Sequence, residues 1–242
     1  MHASHTGDEL IGYRGAQREM FATGKASRAI TLSELPKSPA LHALGPCEHL
    51  DGEITVLDGE PHVSRVRGDG YVVEHGFDHG AIFLVWTRHS KWQDVALPPS
   101  VRSYGELQSF IRGAAERQGI NASQAFPFLM SGVTAELKWH INVDRTDGKP
   151  LTRELFQKSK QSYVVANEAV DIVGFYSERH TGIFISEYAP GVDASRGETN
   201  LIHIHFVSRA GTATGHIDNL RLDGRMTLLL PVTVDGAISV RA

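Results

Sequence analysis

Three histidines in one short stretch offer the clearest chemistry. His203 and His205 stand two apart in Leu201-Ile-His-Ile-His-Phe-Val-Ser-Arg-Ala-Gly-Thr-Ala-Thr-Gly-His-Ile-Asp, and His216 follows a turn signal at Ala210-Gly211. Side chains alternate across a strand, so 203 and 205 face one way while Ile202, Ile204 and Phe206 face the other, apolar side. If the chain reverses near 210–211, residues 205 and 216 lie the same distance from the turn. They then form a cross-strand pair with β-carbons roughly 4.5–5.5 Å apart. Three neutral imidazoles on one face can hold zinc or another divalent metal and leave a coordination position open for water or substrate. A single histidine in a strand is more often only a hydrogen-bonded polar residue, and the chain has 13 of them; the shared parity of these three is what favours a metal.

These residues need a β-rich frame. Asp51-Gly-Glu-Ile-Thr-Val-Leu-Asp-Gly-Glu-Pro-His-Val-Ser-Arg-Val reads as a hairpin about Asp58-Gly59. Ala81 to Trp86 reads as a buried strand, and Phe126 to Met130 and Thr134 to Val143 as further apolar and strand segments. More strands are expected at 164–166, 169–176, 182–187, 201–208, 214–222, 226–234 and 237–240. Ser103 to Arg117 is the one clear amphipathic helix, with Leu107, Phe110, Ile111 and Ala114 as its apolar stripe and Gly119 as its stop. A shorter helix is expected within Arg14–Ala26, and a capped turn at Thr31-Leu-Ser-Glu-Leu. The second half therefore reads as a β-meander that could close into a barrel, packed on a first half of mixed character.

Composition bounds the function. The 242 residues are 41% hydrophobic and 21% charged, with a formal net charge of -4, as in an ordinary globular protein able to build its own core. The basic residues are scattered, so neither nucleic acid nor a membrane surface is an expected partner; a small molecule is. The first twenty residues carry acidic groups and lack an apolar core, no run suits a membrane span, and a cytoplasmic location is expected. The single cysteine, Cys47, excludes an internal disulfide and a thiolate zinc cluster, and reads as buried filler. His75-Gly-Phe-Asp-His79 has metal-ligand spacing but no helix to make it useful. The absence of nucleophile-elbow, P-loop and dinucleotide fingerprints argues against those chemistries.

Taken with their order, several motifs resemble bacterial α-acetolactate decarboxylase. They are Leu50-Asp-Gly-Glu-Ile-x-Val-Leu-Asp-Gly, Phe83-Leu-Val, Ser103-Tyr-x-Glu-Leu, Glu187-Tyr-Ala-x-Gly-Val, His203-x-His205 and Gly215-His216. The resemblance spans about residues 28 to 235. It implies an α+β, β-rich fold in which a mixed β-sheet region packs against an antiparallel β-barrel-like region. The expected division is a loose leader at 1–27, an α/β region at 28–130 and a metal-bearing β region at 131–242, with the whole a homodimer.

For the site, the resemblance implies zinc on His203, His205 and His216, with Glu53 near the metal as proton donor or as a further ligand. An arginine holding the substrate carboxylate maps to Arg145, or to Arg153 given the altered spacing. Asp218 could serve as partner to an imidazole N–H. Two departures stand out: no acid follows Asp235 where the family carries a C-terminal glutamate, and the segment from Asp193 to Ile202 is longer than the family's, with Glu198 a candidate substitute for the absent acid. The implied activity is decarboxylation of 2-acetolactate, or a related branched 2-hydroxy-3-keto acid, to an acyloin such as acetoin. The alternatives are another enolate reaction on the same pocket, such as isomerisation, and a non-catalytic holder of metal or keto acid.

Overall fold

A computed structural model describes residues 10–232. The expected strand at 237–240 and the segment after Asp235 lie outside them. In chain order the first half contains β1 (Gly12–Arg14), α1 (Gln17–Thr23), β2 (Ile30–Thr31), β3 (His42–Pro46), β4 (Glu53–Leu57), β5 (Glu60–Arg67), β6 (Gly70–Glu74), β7 (Gly80–Ala81) and β8 (Leu84–Thr87). The second half contains β9 (Trp92–Ala96), α2 (Tyr104–Arg117), β10 (Phe126–Asn142), α3 (Arg153–Lys158), β11 (Lys160–Tyr176), β12 (Ile202–Ser208), β13 (Thr214–Arg221) and β14 (Met226–Pro231).

Two six-stranded sheets carry the fold. The first has the order β1-β8-β3-β4-β5-β6, the second β11-β12-β13-β10-β14-β9, and β2 pairs with β7 alone. Because β10 also pairs with β11, the ladder runs from β10 through β11, β12 and β13 back to β10, which makes this region barrel-like. The α+β, β-rich class is as expected. One detail differs: every pairing of named strands is antiparallel, where the resemblance implied a mixed sheet.

Local chemistry explains the elements. Asp58 and Gly59 adopt φ of 50° and 80°, the left-handed pair that lets a two-residue turn follow the twist of β4 and β5. Helix α2 starts at a capping box, in which the Ser103 hydroxyl accepts from the Glu106 N–H and the Glu106 carboxylate accepts from the Ser103 N–H. It buries Leu107, Ile111, Ala114 and Ala115 against the second sheet. Each fully buried aliphatic side chain contributes about 1.5–3 kcal/mol. A separate apolar cluster joins the sheets, setting Leu44 and Val85 of the first against Leu129, Val173 and Phe175 of the second.

Two sequence readings are revised. The apolar segment at 126–130 and the strand expected at 134–143 are one strand, β10, and the strands expected at 164–166 and 169–176 are likewise one, β11. Gly132 and the Asn167-Glu168 pair look like breaks, but the β10–β11 register continues without a shift across both, so lateral pairing overrides local preference. The two sheets divide between Thr87 and Trp92. The expected strand at 182–187 is a turn. Its apolar run buries Phe184 and Ile185 in the inter-sheet core and joins neither sheet, bridging only Thr181 to Ile185, with Gly182 in the left-handed region at φ 73°.

Candidate metal centre

The hairpin of β12 and β13 sets His205 directly opposite His216. Ile202, Ile204 and Phe206 enter the apolar core on the other face, and the imidazoles of His203, His205 and His216 meet on the near face. His203 Nε2 lies 3.0 Å from His216 Nδ1 and 3.2 Å from His205 Nε2. Ligand nitrogens at 2.0–2.1 Å from a tetrahedral ion stand about 3.3 Å apart, so the trio has the spacing of a three-histidine metal site. Burial, reinforced by neighbouring imidazoles, drives the pKa of His205 and His216 well below the usual value, and burial pushes His203 down to about 3. All three rings are thus neutral, the form that binds a metal.

A hydroxyl relay orients His205. The Phe206 carbonyl can only accept, so the Thr214 hydroxyl donates to it at 2.6 Å. The Thr55 hydroxyl, 2.8 Å from Thr214, then donates to Thr214, and His205 Nδ1–H donates to Thr55 at 3.2 Å. That order leaves Nε2 of His205 with its lone pair toward the other two rings. Helix α2 pins the entry to β12 from outside: the Tyr104 hydroxyl reaches the Ile202 carbonyl at 3.1 Å, and Gln108 donates to the Thr199 carbonyl at 2.9 Å while accepting from the Leu201 N–H. At Gly215 a β-carbon would stand 2.7 Å from the His140 carbonyl oxygen and 2.8 Å from the Trp139 ring. Only glycine lets β13 approach β10 closely enough to bring His216 into place.

The first sheet supplies the acid. Along β4, Ile54 and Val56 face the core behind the sheet, so Glu53 and Thr55 share the opposite face, toward β12 and β13. Glu53 is 2% exposed. Its Oε2 lies 3.6 Å from His205 Nε2 and its Oε1 lies 3.8 Å from His140 Nε2. Burial raises its pKa well above the carboxylate range; Lys160 opposes this and Asp218 adds to it.

His140, Asn142 and Lys160 complete the wall, and Asp218 adds a second carboxylate. His140 pairs with His216 across β10 and β13, and its Nδ1 meets Asp218 Oδ2 at 2.9 Å. Asp218 therefore does partner an imidazole, though it is His140 and not one of the converging three. These groups line a cavity of about 470 Å³, counting space open to solvent, together with Phe83, Phe156, Phe184 and Tyr188.

The structure brings together His203, His205, His216 and Glu53. It does not bring Arg145 to them: that residue is exposed beyond the end of β10, donating to the Lys158 carbonyl at 3.0 Å and to Gln161 Oε1 at 2.8 Å. Arg153 is exposed at the start of α3 and pairs with Glu187, in a groove that shares Phe156, Ser186 and Tyr188 with the cavity. Glu198 accepts from the Asp193 N–H and is not part of the cavity lining. His75 bonds the Pro61 carbonyl and His79 meets Arg65, so that pair does not act as one site. Sequence reasoning missed His140, Asn142 and Lys160. The alternation of β10 was the available signal for the first two, since Trp139 and Ile141 are core and 140 and 142 take the other face.

The sequence profile described as alpha-acetolactate decarboxylase matches residues 13–233. Among solved structures, the fold is similar to alpha-acetolactate decarboxylase of Bacillus subtilis strain 168, at 16% identity and a TM-score of 0.68, covering 90% of this chain and 84% of that one. Acetolactate decarboxylase of Bacillus subtilis subspecies spizizenii superposes with a TM-score of 0.69 at 18% identity, covering 92% and 85%. A Staphylococcus aureus protein of unknown function, described as similar to alpha-acetolactate decarboxylase, gives 0.67 at 15% identity, covering 90% and 83%. No curated protein matches the chain in sequence.

Proposed function

Because this chain belongs to the alpha-acetolactate decarboxylase family, we propose that its cavity decarboxylates 2-acetolactate, or a related branched 2-hydroxy-3-keto acid, to an acyloin such as acetoin. The observation that carries the reading is the convergence of three neutral imidazoles and one buried carboxyl, of which His203, His216 and Glu53 line a single cavity. His203, His205 and His216 would hold a divalent ion. Zinc suits an all-imidazole set with an open position. A bound cation would supply Lewis-acid charge that offsets the negative charge left when CO2 departs.

The chain's own groups do the rest. The relay through Thr55 and Thr214 keeps the His205 lone pair aimed inward, so the ring need not reorganise when it is used. Phe83, Phe156 and Phe184 give the cavity apolar walls, which strengthen each polar contact made against them. When the bond to the carboxyl carbon breaks, its electron pair delocalises toward the ketone, and the former C2 must then take up a proton. Glu53 stands beside His205 and is the carboxyl placed to give that proton, regaining one from water afterwards. No helix among the described residues is long and apolar enough to cross a membrane. The homodimer, taken from family resemblance, and the cytoplasmic location belong to this proposal too.

The test is metal analysis coupled to an acetoin assay on the wild-type protein and His205→Ala. Metal and acetoin formation in the wild type, both lost in the variant, support the proposal. Metal retained in a wild type that releases neither acetoin nor CO2 transfers the site to another enolate reaction or to a non-catalytic role.

A further inference from the structure

Lys160 opens β11 directly opposite Asn142, the last residue of β10. Both line the cavity, and Lys160 is the only lysine or arginine that does so among the described residues. Its side chain is 15% exposed, and its one ion-pair contact among those residues is Asp218 Oδ1 at 4.0 Å, beyond hydrogen-bonding distance. Burying an ammonium without close acceptors is costly. Asn142 is 2% exposed, and its Oδ1 has no hydrogen-bond partner; Asp218 Oδ1 has none either. The protein thus keeps a cation, with the Phe156 ring 5.4 Å away and no acceptor within hydrogen-bonding distance among the described residues, on the wall of a cavity that His203 and His216 also line. Such a cation matches a ligand carboxylate, which accepts from the ammonium in a charge-assisted hydrogen bond.

We propose that Lys160 is the seat for the substrate carboxylate. The inference rests on reading the cavity as a keto-acid site, and it names the group that selects an acid over a neutral ketol. Neither arginine considered from the sequence enters the cavity lining, whereas the opening of β11 delivers Lys160 there by strand register. Lys160 is a binding residue on this view: losing its charge weakens capture of the acid more than it changes the handling of a neutral molecule.

Two probes separate these effects. 2-Hydroxyisobutyrate carries the carboxylate and the hydroxyl but no ketone, so it cannot be decarboxylated; acetoin is neutral. Calorimetric titration of the metal-loaded protein should show Lys160→Met binding 2-hydroxyisobutyrate about 10- to 100-fold more weakly, the range of a charge-assisted hydrogen bond. Acetoin affinity and metal content should stay within about twofold, and Lys160→Arg should recover part of the loss. In turnover of 2-acetolactate, KM should rise more than kcat falls. Should Lys160→Met fail to fold, Lys160→Gln removes the charge and keeps a polar tip.

Equal weakening of both probes, loss of metal, or unchanged acid binding would each overturn the inference and leave Lys160 a structural companion of Asp218. A wild type that does not bind 2-hydroxyisobutyrate overturns it as well. A wild type that binds the acid through Lys160 yet releases no acetoin upholds the carboxylate seat and removes only the decarboxylase reading.

Discussion

Replacing Thr55 with valine tests the orientation of the metal centre without touching a proposed ligand. Valine keeps the shape of threonine, so the fully buried β4 position loses a hydroxyl and creates no void. Thr214 still donates to the Phe206 carbonyl but loses its 2.8 Å bond with Thr55, and His205 Nδ1–H loses its acceptor at 3.2 Å. Removing an outer partner of a metal-ligating histidine lowers metal affinity by about 10- to 100-fold. The Ile54 backbone also acts on His205, which places the loss near the lower bound, about 10-fold or 1.4 kcal/mol. A buried donor left partly unsatisfied should also cost the metal-free protein about 1 kcal/mol. Competition of Zn2+ against a chromophoric chelator gives the affinity, and urea unfolding of the metal-free protein gives the stability. Thr55→Ser, which keeps the hydroxyl, should bind metal like the wild type. Undiminished affinity in Thr55→Val, or equal losses in the valine and serine variants, would refute the relay.

Three further outcomes follow from the same geometry. Glu53→Gln keeps the side-chain shape and should retain metal while turnover falls by about 10²- to 10⁴-fold, the usual worth of a positioned acid; loss of the metal in that variant would make Glu53 a ligand instead. Burial works to raise the Asp51 carboxyl, but its hydrogen bond to Arg67 and the charge of Arg65 prevail and hold it below its usual range. A depressed folded pKa adds stability above the unfolded value of about 4 and loses it as pH falls through the folded one. Asp51→Asn should therefore be less stable than wild type at neutral pH, by no more than about 1 kcal/mol given the exposed pair, and the gap should close in acid; urea titrations at pH 7 and pH 3 check this. Cys47 is fully buried, and burial pushes its thiol pKa up, so a thiol reagent should modify one group only after unfolding, as kinetic labelling with and without denaturant will show.

Much of the site was legible in the sequence because strand alternation is a strict period. His203, His205 and His216 needed only a hairpin about residues 210–211 to share a face, and the same parity put Ile202, Ile204 and Phe206 in the core. The Asp58-Gly59 signal likewise located the β4–β5 hairpin, and the capping box located α2. What escaped were interactions between distant segments. Arg145 follows β10 closely in sequence, but the strand ends at Asn142 and the arginine leaves the sheet, while Lys160, far along the chain, is returned beside Asn142 by antiparallel register. The run at 182–187 has the composition of a strand, yet its apolar side chains find a better place in the core between the sheets.

By itself the sequence determined which residue types share a face within each hairpin, because that depends only on backbone period and turn chemistry. That the Glu53 face of the first sheet meets the histidine face of the second was implied by family resemblance rather than by spacing, and tertiary structure alone decided which cation lines the cavity with them. Such contacts arise from burial of apolar surface common to both sheets, and that burial is specified by the whole set of core side chains and by no local spacing.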